Sequence, residues 1–259
     1  MWAGGWPCLV GRTLVQTAGG LVKLEQLAKG GNPWKKHSVR VATDDGYRRS
    51  DQAYVSGHTP TIIVDSLLGF NYEGTGHHRL RTINADGDYD WKTLDQFKPG
   101  DLLVSLPGQF KGKRRKLSNG FELTPEFAEI IGLYIGDGSL SRTRPKRFKI
   151  VFDPQDKATR DLVVAKFNNL GLGLNTQAYA ESEFDTENFR LNSAEFCALM
   201  LKNGLVSKTK PQDAQIPSLI LRSDEAVLCA FLRGLFDADG WCYPSSTCLK
   251  LGMATTSVM

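Results

Sequence analysis

Two short stretches share one pattern, and this pattern constrains the fold more than any other feature of the chain. Ile130–Gly138 reads IIGLYIGDG and Leu232–Gly240 reads LRGLFDADG, each with a glycine five residues before an aspartate that another glycine follows. Apolar residues fill most of each gap, which predicts two buried helices. A glycine inside a helix costs about 1 kcal/mol relative to alanine, and close approach of two helix backbones is a reason to keep it. Gly138 and Gly240 are expected to end these helices in the left-handed conformation.

Pairing of the two helices along their glycines would bring one aspartate from each to the same point. Gly132 aligns with Gly234, and Asp137 aligns with Asp239. Two adjacent carboxylates repel each other unless a cation neutralises them, and Mg²⁺ prefers oxygen ligands. The alternative is a pair of buried helices with aspartates that only cap their ends. Two copies of the motif in one frame favour the metal site.

The two stretches resemble the paired LAGLIDADG motifs of a dodecapeptide-type (DOD) homing endonuclease. The first departs from the family pattern at Ile135, where a carboxylate is usual, but it keeps Asp137. The resemblance implies an α+β domain over residues 125–259, with a first repeat at 125–222 and an incomplete second repeat at 223–259. It implies metal-dependent hydrolysis of double-stranded DNA, with Mg²⁺ bound by Asp137 and Asp239 as catalytic and metal-ligating residues.

The same family uses a lysine that precedes an Ile-Pro pair and reaches the active site. Ile216-Pro217 is such a pair here, and the candidate lysine is Lys210 or Lys208. The resemblance therefore implies that Lys210 stabilises charge at the attacked phosphate, with Lys208 left open. The alternative is a surface lysine with no role in catalysis.

Two basic segments are candidates for contact with the DNA backbone. The first lies in a basic linker over residues 111–124, and the second precedes and enters an expected β-hairpin. A charge run is usually a solvated face, but a β-ribbon also fits the major groove, and cations near phosphates supply affinity. The predicted DNA-binding residues are Lys113, Arg114, Arg115, Arg142, Arg144, Lys146, Arg147 and Lys149.

The first hundred residues show short strand-like runs separated by glycine turns, which predicts an all-β unit. Strands are expected at 9–17, 39–42, 61–64, 79–83 and 102–106, and a short helical turn is expected at 21–27. Cys8-Leu9 before a Gly-x-Thr-Leu-Val run, Thr75-x-x-His78, and Trp91-Lys92-x-Leu94 with Gly100-Asp101-Leu102 occur in this order. These blocks resemble the N-terminal part of an intein, which implies a Hint splicing fold over residues 8–110 and a host (extein) remnant over residues 1–7.

In an intein the first residue attacks the peptide carbonyl that precedes it, which here is the Pro7–Cys8 bond. A thiol is a fair nucleophile once ionised. The resemblance implies that His78 protonates the departing nitrogen and that Thr75 holds or polarises the amide. Histidine suits this role because its ordinary pKa lies near 6.5. His77 is the competing proton donor.

Composition restricts the compartment and the partners. The formal net charge of +4 permits a polyanionic partner. The five cysteines form no CxxC motif or disulfide framework, so a reducing, cytoplasmic location is expected. Spanning a bilayer needs a run of about 20 apolar residues, and this sequence contains none, so no membrane partner is expected.

The combined interpretation is a multidomain chain with an all-β Hint-like splicing domain followed by an α+β homing endonuclease domain. Its expected partners are double-stranded DNA at the intein insertion site, the host protein in cis, and a C-terminal intein fragment. The last is included because the terminal histidine and asparagine of an intein are not found before Met259. The alternatives are a DNA-binding regulator that does not cut, and a Hint domain that performs cleavage alone.

Overall fold

The computed structural model describes residues 7–28, 33–67, 69–105, 112–141, 147–206, 215–244 and 249–253. The chain divides into two compact units, Met1–Phe110 and Lys111–Met259. As a whole it is a mixed α/β structure with several small sheets. No helix among the described residues has the length and apolar character that crossing a membrane requires.

The first unit is built mainly from short antiparallel strands. Its elements are β1 (Leu14–Thr17), β2 (Gly20–Lys23), α1 (Leu24–Leu27), β3 (Trp34–Thr43), β4 (Gly46–Tyr54), β5 (Ile62–Asp65), β6 (Asn71–Gly74), β7 (Arg79–Ile83), β8 (Tyr89–Thr93), a 3₁₀ turn (Leu94–Gln96) and β9 (Leu102–Leu103). They form three sheets with strand orders β2-β1-β3-β4, β5-β6 and β8-β7-β9.

Strand pairing in this unit overrides part of the local sequence pattern. The strand expected at 79–83 is confirmed as β7. The helical turn expected at 21–27 is wrong for its first half, because residues 20–23 pair with β1 and only residues 24–27 are helical. The strand expected at 9–17 is shorter than predicted, since only residues 14–17 form β1 and Leu9 makes an isolated bridge to Gly74.

The second unit combines two long helices with a four-stranded antiparallel sheet and a separate hairpin. The sheet has the order β10-β11-β13-β12. The elements are α2 (Pro125–Asp137), β10 (Gly138–Ser141), β11 (Arg147–Phe152), α3 (Lys157–Asn168), β12 (Tyr179–Glu183), β13 (Thr186–Asn192), α4 (Ala194–Lys202), α5 (Ser218–Leu221), α6 (Glu225–Asp239), β14 (Gly240–Pro244) and β15 (Leu249–Met253).

Capping side chains fix where the two long helices begin. The Thr124 hydroxyl accepts a hydrogen bond from the Phe127 N–H at the start of α2, where Pro125 occupies the first turn. Asp224 accepts from the Val227 N–H at the start of α6. Each contact satisfies a backbone donor that has no partner within its helix. The predicted cap at Thr124 is confirmed.

Gly132 and Gly234 bring the α2 and α6 backbones into direct contact. A Cβ on Gly132 would overlap the Phe231 carbonyl oxygen and the Leu235 nitrogen. A Cβ on Gly234 would overlap the Glu129 carbonyl oxygen and come 3.1 Å from the Leu133 nitrogen. The two sets of contacts are reciprocal, as expected for helices related by an approximate two-fold axis. The predicted close approach along the glycines is therefore confirmed.

The prediction that Gly138 and Gly240 adopt the left-handed conformation is wrong. Their φ and ψ angles are −92° and 159°, and −89° and 159°, respectively, which are extended values. Each glycine leads its helix directly into a strand. A side chain is excluded there because a Cβ would overlap the ring of Tyr134 at Gly138, or of Phe236 at Gly240. Glycine is therefore required by crowding and not by backbone conformation.

Aromatic side chains fill the space between α2, α4 and one face of the sheet. Tyr134 stacks on Phe148 with ring centroids 4.4 Å apart, and Phe148 meets Phe196 edge-to-face at 5.2 Å. All three are fully buried. This packing places α2 and α4 on the same face of the sheet, and no described helix packs on the opposite face. The latter is called the open face below.

Residues 112–123 do not form the free basic linker that the charge run predicted. The side chains of Leu117 and Leu123 are buried in the core of the second unit. The Lys113 N–H donates to the Arg222 carbonyl oxygen at 3.3 Å, and Lys116 forms a β-bridge with Glu122. Apolar anchors within a charged segment therefore attach it to the unit that follows.

The hairpins that follow α2 and α6 have equivalent registers but different exposure. Gly138 pairs with Ile150 across the first hairpin, and Gly240 pairs with Met253 across the second. Ile150 is fully buried beneath the helices, whereas Leu251 in β15 is 62% exposed. The four-stranded sheet therefore has a complete core on one face, and the β14–β15 hairpin has an apolar face in contact with solvent.

We expect Gly234→Ala to destabilise the second unit by about 2–3 kcal/mol, because overpacking would force the helix backbones apart. The matched control is Cys229→Ala, an exposed position on the same helix. Denaturant unfolding of both variants, followed by tryptophan fluorescence and circular dichroism, measures the difference. Equal free energies of unfolding for the two variants would contradict the backbone contact.

Candidate functional site

The segment that contains Cys8 is held against the end of β6 by backbone hydrogen bonds. The Thr75 N–H donates to the Cys8 carbonyl oxygen at 2.9 Å, and the Val10 N–H donates to the Glu73 carbonyl oxygen at 3.2 Å. A Cβ on Gly74 would lie 2.6 Å from the Cys8 carbonyl oxygen. Gly74 therefore permits this approach, a requirement that sequence reasoning missed.

Thr75 and His78 contact opposite ends of the Pro7–Cys8 peptide bond. The Cys8 N–H donates to Thr75 Oγ1 at 3.0 Å. The His78 ring is hydrogen-bonded to the Pro7 backbone, and since proline has no N–H the partner is its carbonyl oxygen. The structure thus brings three predicted residues together, with Thr75 at the nitrogen and His78 at the carbonyl.

His78 is better placed than His77 to act on this bond. His77 is exposed to solvent, whereas His78 is partly buried. Burial lowers the pKa of His78 below its ordinary value, and the hydrogen bond to the Pro7 carbonyl opposes that shift. A depressed pKa keeps the ring mostly neutral near pH 7, where one ring nitrogen still carries a proton to donate.

The turn that carries Thr75 and His78 is fixed by the chain that follows β8. The Leu94 N–H donates to the His78 carbonyl oxygen at 2.9 Å, and the Asp95 N–H donates to the Gly76 carbonyl oxygen at 3.2 Å. Leu94 is almost fully buried. A 3₁₀ turn between β8 and β9 therefore positions the two residues that contact the Pro7–Cys8 bond.

Asp101 is structural, as the sequence predicted. It accepts hydrogen bonds from Lys92 Nζ at 2.6 Å and from the Lys98 N–H at 2.7 Å. The bond from Lys92 is the main cause that lowers the pKa of Asp101. Gly100, which precedes it, has a φ of +95° that favours glycine.

A cavity of about 580 Å³ opens beside Cys8. Cys8 and Thr75 line it on one side, and residues 54–61 line it on the other. His58 and Glu25 are the ionisable side chains in its wall besides the Cys8 thiol and the Tyr54 phenol. A second polypeptide segment or a small nucleophile can therefore reach Cys8 through this opening.

Asp137 and Asp239 lie at the C-terminal ends of the paired helices. Each is the last residue of its helix. The position that a Cβ on Gly136 would take lies 3.4 Å from the Asp239 carboxylate, so that carboxylate lies against the end of α2. Among the described residues, no group of three or more histidine, cysteine, aspartate and glutamate side chains is arranged to hold a metal.

A buried carboxylate links three helices farther along the same pair. Glu129 on α2 forms ion pairs with Lys166 on α3 at 2.9 Å and with Arg233 on α6 at 2.6 Å. Burial raises the pKa of Glu129, but the hydrogen bonds from Arg233 and Lys166 outweigh it and leave the pKa lowered. Burial and the negative charge of Glu129 raise the pKa of Asp237.

The predicted DNA-binding residues differ in how free they are. Arg114 is paired with Asp224 at 3.0 Å and with Glu122 at 3.4 Å, and the hydrogen bond with Asp224 is the main cause that raises its pKa. Arg115 donates through Nε to the Arg222 carbonyl oxygen at 3.0 Å, and burial lowers its pKa. These two arginines therefore support the fold. Lys113 is exposed.

The remaining basic residues and the candidate lysines fall in two places. Arg147 and Lys149 lie on the open face of the sheet, because they alternate along β11 with the buried Phe148 and Ile150. Arg142, Arg144, Lys146, Lys208 and Lys210 lie outside the described residues.

Curated proteins that resemble this chain differ widely in name, and no known protein-family profile matches it. The chain is 31% identical over 205 residues to the replication factor C small subunit of Methanocaldococcus jannaschii, covering 77% of this chain and 10% of that protein. It is 23% identical over 277 residues to the NrdEB alpha chain of the ribonucleoside-diphosphate reductase of Bacillus subtilis, covering 97% of this chain and 24% of that protein. It is 22% identical over 251 residues to a DNA gyrase subunit of Mycobacterium gordonae, covering 91% and 42%. The chain thus spans less than half of each relative.

Solved structures of the homing endonuclease I-DmoI share part of the fold at low identity. A set of mesophilic variants matches with a TM-score of 0.33 and 16% identity, covering 46% of this chain and 63% of that one. The complex with DNA and Mn matches with a TM-score of 0.32 over the same shares.

We predict that His78 titrates below about 6.5, the ordinary value for histidine, because burial disfavours its charged form. Nuclear magnetic resonance of the ring protons in a Cys8→Ala background measures this, with His78→Gln used for assignment. A lowered pKa in the folded state means that the stabilisation is present above the unfolded-state pKa and is lost as the pH falls through the folded-state pKa. The stability advantage over His78→Gln should therefore shrink in acid. Titration above the ordinary value would contradict the burial.

Proposed function

We propose that the first unit, over residues 8–110, performs the first step of protein splicing as a Hint-like intein domain. The observation that carries this proposal is the pair of contacts at one peptide bond, with Thr75 Oγ1 at the Cys8 nitrogen and His78 at the Pro7 carbonyl. A nucleophilic side chain directly follows the same carbonyl. This arrangement supports an N–S acyl shift at Cys8.

In this step the Cys8 sulfur forms a bond to the Pro7 carbonyl carbon while the carbon–nitrogen bond breaks. The thiol proton is lost, and the departing nitrogen gains one proton to become the amine of Cys8. His78 donates to the carbonyl oxygen where negative charge develops and is the source of the proton for the nitrogen. Thr75 fixes the amide by accepting from its N–H. The peptide bond becomes a thioester, with no oxidant or cofactor required.

The relatives support an element that inserts into unrelated hosts. A replication factor, a ribonucleoside-diphosphate reductase and a DNA gyrase have unrelated names, yet each resembles 77% or more of this chain. Each match occupies less than half of the relative. An intein with its host protein in cis accounts for this distribution, and a regulator that functions alone does not. A C-terminal intein fragment would supply the remaining splicing residues.

We expect thiol treatment to release the residues that precede Cys8, because an added thiol intercepts the thioester. The chain should carry a longer N-terminal extension so that mass spectrometry detects the product. Cys8→Ala should abolish release, and His78→Ala should slow it by roughly 10²–10⁴, the usual contribution of a general acid. His77→Ala is the matched control and should react as the parent does. Equal release by Cys8→Ala and the parent would refute the mechanism.

A second proposal concerns the second unit, which we infer is a LAGLIDADG-type, metal-dependent endonuclease over residues 125–259. The observation in its favour is the close pairing of α2 and α6, with one aspartate at the end of each helix and the Asp239 carboxylate against the end of α2. A regulator that only binds DNA has no need for two carboxylates at one point. The substrate would be double-stranded DNA at the insertion site of the intein.

The side chains at this point fit a divalent cation. Mg²⁺ is usually held by one or two carboxylates, with waters and substrate phosphates as its other ligands, and Asp137 and Asp239 supply two carboxylates here. A bound divalent cation would lower the pKa of a water and stabilise the leaving oxygen during hydrolysis. The protein's own part is to hold the two aspartates in fixed positions at the ends of rigid helices. Lys210 or Lys208 would stabilise charge on the phosphate.

We predict that Asp137→Asn and Asp239→Asn each weaken divalent-cation binding by about tenfold or more, because a ligand charge is lost. Water proton relaxation with Mn²⁺, in the presence of a DNA duplex, measures this binding, and nicking of supercoiled plasmid in Mg²⁺ provides a second readout. Asp237→Asn is the matched control, since Asp237 lies on the same helical turn and faces Glu129. An equal loss in all three variants would argue against a site at the helix ends.

A further inference from the structure

The charged side chains on the open face of the sheet form one connected group. Three cations and two carboxylates lie on this face, and its other described residues are uncharged. The cations are Arg147 and Lys149 on β11 and Arg190 on β13, and the carboxylates are Glu181 and Glu183 on β12. The face therefore has one net positive charge, far less than its three cations alone would give.

The carboxylates are paired with cations in a definite pattern. Arg190 forms ion pairs with both Glu181 and Glu183. Lys149 Nζ lies 3.6 Å from a Glu183 carboxylate oxygen. The side chain of Arg190 is only 7% exposed and that of Lys149 is 23% exposed, whereas Glu183 is 43% exposed. The carboxylates thus lie outermost and cover the cations.

We propose that Glu183 limits non-specific DNA binding by this face and is a specificity-determining residue of the second unit. The proposal rests on the proposed DNA-binding function. A phosphate that approaches Lys149 must displace Glu183, and it meets a negative charge before it meets the positive one. A cation already paired with a carboxylate also releases no counterion to drive binding.

Such an arrangement separates affinity from selectivity. Phosphate contacts supply affinity without reading sequence, while contacts with base edges supply discrimination. A repulsive element weakens every wrong partner, and only a partner with compensating contacts overcomes it. On this face Tyr179 and Asn192 are candidates for such contacts. Their side chains are joined by a 2.7 Å hydrogen bond and are exposed.

The test measures binding of the full 259-residue chain to a short DNA duplex of arbitrary sequence, at several salt concentrations. Glu183→Gln should raise the affinity about three- to tenfold and steepen the slope of log affinity against log salt by about 0.9, the value for one added phosphate contact. Glu181→Gln should give a smaller gain, because it leaves the Lys149–Glu183 pair intact. Glu195→Gln changes the net charge equally on α4, which packs on the opposite face, and should give the smallest gain.

A double-mutant cycle with Lys149→Met identifies the route of the effect. In that background Glu183→Gln should lose most of its gain, because the freed cation is absent. Thermal unfolding of each variant checks that Arg190 stays supported by Glu181. An unchanged or weaker affinity of a folded Glu183→Gln, or a gain equal to that of Glu195→Gln, would overturn the inference alone. Absence of binding by the parent and by every variant would overturn the proposed function together with it.

Discussion

The second unit depends on the contact between two helix backbones at Gly132 and Gly234. Side chains normally keep helix axes about 8–10 Å apart, and two glycines facing each other remove that spacer. The reciprocal overlap that a Cβ would cause at either position shows that neither site tolerates one. Because the two helices are aligned by this contact, Asp137 and Asp239 end at the same level, and the hairpins after them start in equivalent registers. The carboxylate pair is thus a consequence of packing.

The helix pair could be predicted from the sequence because glycine in a helix interior has few explanations. The glycines that follow the aspartates were predicted to be left-handed, which was wrong because glycine serves at least two purposes at a helix end. It can adopt a positive φ, or it can leave room for a neighbouring ring. Only the position of the Tyr134 ring distinguishes the two for Gly138, and a ring position is a property of the packed core.

In the first unit the sequence identified the residues but not the atoms they contact. The order of the motifs singled out Cys8, Thr75 and His78, and the structure brings them to one peptide bond. The sequence assigned His78 to the nitrogen, whereas its ring is hydrogen-bonded to the carbonyl of Pro7. Gly74 and Leu94 were missed because their roles come from contacts between segments distant in sequence. A spacing motif states which residues are near one another, but it does not state which of their atoms meet.

Charge runs were the least informative feature of the sequence, because the partners of a cation are invisible in it. The segment that includes Arg114 and Arg115 was predicted to be a linker free to contact DNA. Instead Arg114 is paired with Asp224, and Leu117 anchors the segment in the core. Lys149 is likewise paired across the sheet. The capacity of such a surface to bind a polyanion depends on which of its cations a carboxylate already holds. A count of lysines and arginines therefore overstates that capacity, and the ion pairs of the folded chain determine it.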